Sequence, residues 1–177
     1  MPKAVFIIAQ ENFRDEELLV TKQVLEDGGV ECDVAAPTLR EATGALGGKV
    51  MPDLAIKQID VSAYDAVVVV GGPGAPTLMN YPEVPKLLRN VVAAKNVLAA
   101  ICIAPAAVLA QSGVIEKKKA TVWKGKIDGK KTSDILEHDG KASFVDAPVV
   151  IDGRLITANG PDAAQAFGKA ILAQLQG

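Results

Sequence analysis

The chain has 177 residues, 49% of them hydrophobic, and a formal net charge of −2. We predict a single domain over residues 1–177, because this length suits one domain with a substantial core. The scattered basic residues exclude a typical nucleic-acid-binding protein, no apolar run is long enough to span a membrane, and two cysteines predict neither a disulfide framework nor a metal site.

The first half of the chain alternates apolar strands with amphipathic helices. Residues 3–9 form a continuous apolar run, which is typical of a central parallel strand covered on both faces. Helical spacing predicts a helix over residues 14–27, with Asn12 as its cap, and a second strand over residues 30–36. The glycine-rich stretch 43–53 lacks the spacing of a phosphate-binding loop, so we expect a hairpin or an irregular turn there.

The second half continues the same alternation. We expect strands over residues 66–70, 97–101, 120–123, 144–145, 149–151 and 155–158, and helices over residues 82–95, 106–110, 132–137 and 162–175. This order predicts an α/β fold, a flavodoxin-like doubly wound sandwich around a mostly parallel central sheet. The N-terminal residues run directly into a strand pattern rather than a signal peptide, which predicts a cytoplasmic protein.

Cys102 occupies a corner between a predicted strand and a predicted helix that begins near Pro105. Such a corner lifts a side chain to the carboxyl edge of the sheet, where open α/β sheets bind ligands. Free N–H groups at the helix start would lower the pKa of the thiol and create a nucleophile elbow. The alternative is a small buried hydrophobic residue, as many cysteines outside disulfides are.

Two further loops are expected at the same edge of the sheet. Gly71 and Gly72 would let a ligand approach the backbone closely, and with the N–H of Ile103 they could form an oxyanion site. A buried carboxyl group that stays protonated can donate a hydrogen bond to a thiolate, and Glu16 or Glu17 could supply it. Both acids could instead simply complement the helix dipole.

Four segments resemble the ThiJ/PfpI superfamily, in the same order and over nearly the full chain. They are FRDEEL (13–18), VVVGGPGAP (68–76), AAICIAP (99–105) and DGRLITANGP (152–161). The resemblance implies that Cys102 is the elbow nucleophile and that Glu17 is the acid that hydrogen-bonds it, with Glu16 as the second choice.

The same resemblance implies roles for three further positions. Gly72 and Ile103 match the backbone donors of the oxyanion site. Trp123 stands where many relatives place a histidine or tyrosine beside the cysteine, although a plain packing aromatic is an equal alternative. Peptidase-type members carry a histidine directly after the cysteine, where this chain has Ile103. Its only histidine, His138, is expected in an exposed polar turn, so peptidase activity is disfavoured.

The implied function is a cysteine-dependent glyoxalase or deglycase that acts on methylglyoxal, glyoxal or early protein glycation adducts, without a metal or an organic cofactor. Cys102 would add to the aldehyde, Glu17 would move a proton, and hydrolysis would release a hydroxy acid such as lactate. The alternative is a redox-sensing stress protein or chaperone with an oxidisable Cys102. A nucleotide carrier is weakly supported because no phosphate-binding loop occurs. The apolar surplus and the resemblance predict a homodimer.

Overall fold

The computed structural model describes residues 1–177 and organises them around a seven-stranded sheet. The strands are β1 (Lys3–Ile7), β2 (Glu11–Phe13), β3 (Glu31–Ala36), β4 (Ala42–Gly44), β5 (Lys49–Val50), β6 (Leu54–Ala55), β7 (Ala66–Val69), β8 (Val97–Ile101), β9 (Lys119–Ala120), β10 (Lys126–Ile127), β11 (Lys130–Lys131), β12 (Ser143–Phe144), β13 (Val149–Asp152) and β14 (Leu155–Ala158). The helices are α1 (Asp15–Asp27), α2 (Glu83–Ala93), α3 (Ala110–Ser112), α4 (Thr132–His138) and α5 (Ala164–Gln176). A π-helical turn, Pro105–Leu109, leads directly into α3, and short 3₁₀ turns cover Ile56–Gln58, Val61–Ala63, Ala75–Asn80 and Pro161–Ala163.

The central sheet is parallel except at one edge. Its strand order is β13-β14-β8-β7-β1-β3-β6, and only β13 runs antiparallel, to β14. The central strands β7 and β8 are buried along their whole length, as their continuous apolar sequences require when helices cover both faces. This arrangement confirms the predicted α/β sandwich with a mostly parallel sheet.

The connections reverse direction between β1 and β7. The chain passes from β1 through α1 to β3 on one side, and from β7 through α2 to β8 on the other. Because parallel crossovers are right-handed, α1 and α2 lie on opposite faces of the sheet, and α5 packs beside α1. A doubly wound sheet binds ligands where its strand order reverses, outside the carboxyl ends of the strands. The loops after β1, β7 and β8 meet there.

Several local predictions differ from the structure. Asn12 does not cap α1, because it belongs to β2 with a φ of 62°, and no side chain caps the helix start. The strand expected over residues 120–123 is shorter, because the chain leaves the ladder after Ala120 and the N–H of Trp123 donates to the carbonyl of Cys102 at 2.8 Å. His138 ends α4 rather than lying in a turn, although it is exposed as expected.

The glycine-rich stretch forms a hairpin, as predicted, with β4 and β5 as its arms. The edge strand β6 was not predicted, because two residues carry no readable periodicity. None of the helices combines the length and apolarity that crossing a bilayer requires.

Candidate active site

Cys102 lies on a strained corner directly after β8. Its φ of 63° is in the left-handed region, where a non-glycine residue costs about 1–3 kcal/mol. Backbone hydrogen bonds hold it there: its N–H donates to the carbonyl of Ala158 at 2.9 Å, and its carbonyl accepts from Trp123. The residue is 8% exposed. The structure therefore confirms the predicted corner and places the thiol at the carboxyl edge of the sheet, where it is largely buried.

Glu17 brings a buried carboxyl group to this thiol from the first turn of α1. The side chain is fully buried, Oε1 accepts the N–H of Gly71 at 3.0 Å, and the carboxyl group lies close enough to the side chain of Cys102 for each group to shift the pKa of the other. Burial raises the pKa of Glu17 to about 7. Oε2 is buried and has no hydrogen-bond partner.

The backbone N–H groups of Ile103 and Gly72 lie near the sulfur of Cys102 and favour a lower pKa of its thiol. Burial, and after it the charge of an ionised Glu17, raises the pKa of the Cys102 thiol to about 12. The expectation that the helix start lowers this pKa was therefore wrong, because desolvation outweighs the two N–H donors. The acid and the thiol titrate as a coupled pair that holds one proton above pH 7.

Two glycines allow this close approach. A Cβ on Gly71 would lie 2.6 Å from Cβ of Cys102 and 2.7 Å from Oε1 of Glu17, and Gly72 has a φ of 107°. The prediction that Gly71 contributes to an oxyanion site does not fit, because its N–H is used by Glu17. The N–H groups of Gly72 and Ile103 are the pair that faces the sulfur.

Glu16 is directed away from the thiol by an ion pair. Its Oε2 accepts the Nε–H of Arg14 at 2.7 Å, on a partly exposed surface. The backbone N–H of Arg14 donates to the carbonyl of Gly71 at 3.0 Å, which fixes the start of α1 against the loop after β7. Of the two candidate acids, the structure brings only Glu17 to Cys102.

A cleft of about 630 Å³ opens above Cys102. Trp123 forms part of its wall and is 40% exposed, with its ring packed so closely over Gly125 that a Cβ there would overlap it. Trp123 therefore borders the cleft beside the cysteine, as the resemblance implied, and is not a buried packing residue. His138 does not line this cleft. No group of three or more His, Cys, Asp or Glu side chains is arranged to hold a metal ion.

Three charged residues that the sequence did not single out line the cleft. They are Arg14, Lys126 and Asp128. Arg14 could have been noticed, because it lies within the FRDEEL segment three residues before Glu17. Nothing in the sequence connects the β10–β11 hairpin, which carries the other two residues, to the loop that holds Cys102.

Comparisons with known proteins identify the family that this chain resembles. The sequence pattern of the DJ-1/PfpI family matches residues 2–174. An uncharacterised protein of Methanocaldococcus jannaschii is 35% identical, over 98% of this chain and 82% of its own length. A glutathione-independent glyoxalase of Caenorhabditis elegans is 29% identical, over 98% of this chain and 89% of its own.

Two further matches extend the comparison to another named activity and to a crystal structure. A protein of Pyrococcus abyssi that is named a deglycase is 27% identical, over 89% of this chain and 90% of its own. The crystal structure of a ThiJ/PfpI domain protein from Brachyspira murdochii superposes with a TM-score of 0.89 at 26% identity, covering 98% of this chain and 96% of that one.

Proposed function

Because this chain belongs to the DJ-1/PfpI family, in which relatives are named as a glyoxalase and a deglycase, we propose that it is a cysteine-dependent enzyme of that type. Its substrates would be methylglyoxal, glyoxal or early glycation adducts. One observation carries the proposal: the Cys102 sulfur faces the buried carboxyl group of Glu17 and two backbone N–H donors at the floor of an open cleft.

The reactive form we propose is a thiolate beside a neutral acid. In that form Glu17 donates to the sulfur, and the N–H groups of Gly72 and Ile103 favour the negative charge on it. The thiolate adds to the aldehyde carbon of methylglyoxal, and Glu17 donates its proton to the aldehyde oxygen. A hemithioacetal and a carboxylate result.

The carboxylate of Glu17 then acts as a base. It removes the proton from the former aldehyde carbon and returns it to the neighbouring carbon, while the hydroxyl proton passes to the former ketone oxygen, so that the hemithioacetal becomes a thioester of lactate. Water hydrolyses the thioester, releasing lactate and restoring the shared proton of the pair. The sum is methylglyoxal plus water to lactate plus one proton released to solvent, with no net oxidation and no further co-reactant. In a glycation adduct the same thiolate would attack the carbon attached to the amine.

Lactate yield tests this proposal. The purified protein with excess methylglyoxal should form many molecules of lactate per molecule of protein, whereas Cys102→Ser should form none above the buffer control. A yield that stops at one lactate or fewer per protein would contradict an enzymatic role.

A redox-sensing role is the second candidate. A neutral Glu17 and the N–H groups of Gly72 and Ile103 would also stabilise an oxidised sulfur, and the cleft gives peroxide access to Cys102. A sensor would react once with an oxidant and would not consume methylglyoxal. Peptidase activity has less support, since no imidazole lies beside the thiol to accept its proton.

A further inference from the structure

Arg14 offers hydrogen-bond donors that the proposed reaction does not use. A guanidinium group has five N–H donors, and in Arg14 only Nε–H is bonded, to Glu16. Both Nη groups remain without a partner, and the side chain lines the cleft above Cys102.

Arg14 is held in place before any ligand arrives. Its backbone is tied to Gly71 and its Nε–H to Glu16, so little rotamer freedom remains to be lost on binding. The hydrogen bond to Glu16 is the main cause that raises the pKa of Arg14, and a charge on the nearby Cys102 sulfur adds a smaller contribution. An anion bound to the free Nη groups would therefore stand next to the reacting thiol.

The rim of the cleft favours the same kind of ligand. Lys126 lines it without an ion pair, and Asp128 is the only acidic residue in the lining. The surrounding segment 117–141 contains eight lysines and four carboxylates, in a chain whose net charge is −2. Local positive charge of this kind raises the concentration of anions at the mouth of a cleft.

We propose that the cleft selects substrates carrying a carboxylate beside the reactive carbonyl, and that Arg14 binds this carboxylate. The planar guanidinium matches a carboxylate with two parallel hydrogen bonds. The cleft has a volume of about 630 Å³, which is large enough for a ligand much bigger than a three-carbon dicarbonyl. The selection of substrates rests on the enzymatic function proposed above, whereas the binding of an anion by Arg14 does not.

Two thiol reagents that differ in charge test the proposal without turnover. Iodoacetate and iodoacetamide alkylate the same thiolate, so the ratio of their rate constants at Cys102 is independent of the thiol pKa. The rate constant for iodoacetate divided by that for iodoacetamide should be roughly tenfold higher at Cys102 than for a small neutral thiol in solution. The effect is no larger because solvent screens part of the attraction between Arg14 and the carboxylate at this half-exposed site. Peptide mass mapping separates Cys102 from Cys32.

Matched arginine variants locate the effect. Arg14→Gln should lose most of the preference, Arg14→Lys should keep part of it, and Arg89→Gln, a substitution on α2 outside the cleft, should keep all of it. An unchanged ratio in Arg14→Gln, or no preference in the unmodified protein, would overturn the proposal. Circular dichroism checks that each variant is folded.

Competing anions identify the chemical class. Acetate should slow the reaction with iodoacetate more than inorganic phosphate does at equal ionic strength, and the reverse order would overturn the assignment to carboxylates. Because alkylation needs no catalysis, a failure to consume methylglyoxal would refute the enzymatic function and leave this result standing.

Discussion

Replacing Glu17 by two unbranched residues of similar length separates its role as a hydrogen-bond donor from its role as an acid. In Glu17→Gln, the N–H of Gly71 should hold the amide oxygen at the place of Oε1, which directs the amide NH₂ towards the Cys102 sulfur. Glu17→Met fills the same space without a donor. A hydrogen bond to a charged group contributes about 1.5–3 kcal/mol, so the thiol pKa should be about one to two units lower in Glu17→Gln than in Glu17→Met.

The pH dependence of iodoacetamide alkylation at Cys102 measures this difference. In the unmodified protein the rate should rise near pH 7, where the coupled pair loses its first proton, whereas neither variant should show that step. Glu17→Gln should also lower lactate formation by roughly 10²–10⁴-fold, because an amide donates a hydrogen bond but does not exchange protons with the substrate. Equal thiol pKa values in the two variants, or a lower value in Glu17→Met, would refute the proposed donor.

Three further outcomes are expected. Burial raises the pKa of Glu17 from 4.5 to about 7, so the folded protein favours the neutral carboxyl group. This contribution to the free energy of unfolding is complete below pH 4.5 and is lost as the pH rises through 7. The stability of Glu17→Gln relative to the unmodified protein should therefore improve by about 3 kcal/mol between pH 4 and pH 8 in urea unfolding, and a constant difference would count against this. Mild peroxide should convert Cys102 to a sulfinic acid and leave Cys32, which is half-buried in β3, reduced. Peptide mapping that finds Cys32 oxidised first would contradict the proposed stabilisation of an oxidised Cys102 sulfur by its neighbours. Light scattering should find a dimer that Leu19→Lys dissociates, because α1 leaves Leu19 56% exposed; a monomer at micromolar concentration would exclude this.

The sequence predicted the frame of the molecule well, because long apolar runs and helical spacing are local signals. The strand at residues 97–101 and the corner at Cys102 appear where expected. The left-handed φ of Asn12 was not predictable, since it follows from packing between the loops after β1 and β7, where the carbonyl of Asn12 accepts the N–H of Gly74 at 3.0 Å.

The candidate site was predicted in part. Its members after β7 and β8 follow from topology, but the choice between Glu16 and Glu17 depends on which side of α1 turns inward, and neighbouring residues on a helix face different directions. The pKa of Cys102 was misjudged because sequence shows the helix start and hides the burial that opposes it. Gly71 was misassigned because its N–H has a partner 54 residues earlier in the chain.

The rate of lactate formation from methylglyoxal in two matched cysteine variants tests the central claim most directly. Cys102→Ser removes the thiol at the floor of the cleft, and Cys32→Ser removes the one other thiol, on β3. We expect Cys32→Ser to retain the rate of the unmodified protein and Cys102→Ser to fall to that of buffer alone. Retained turnover in Cys102→Ser would contradict the account.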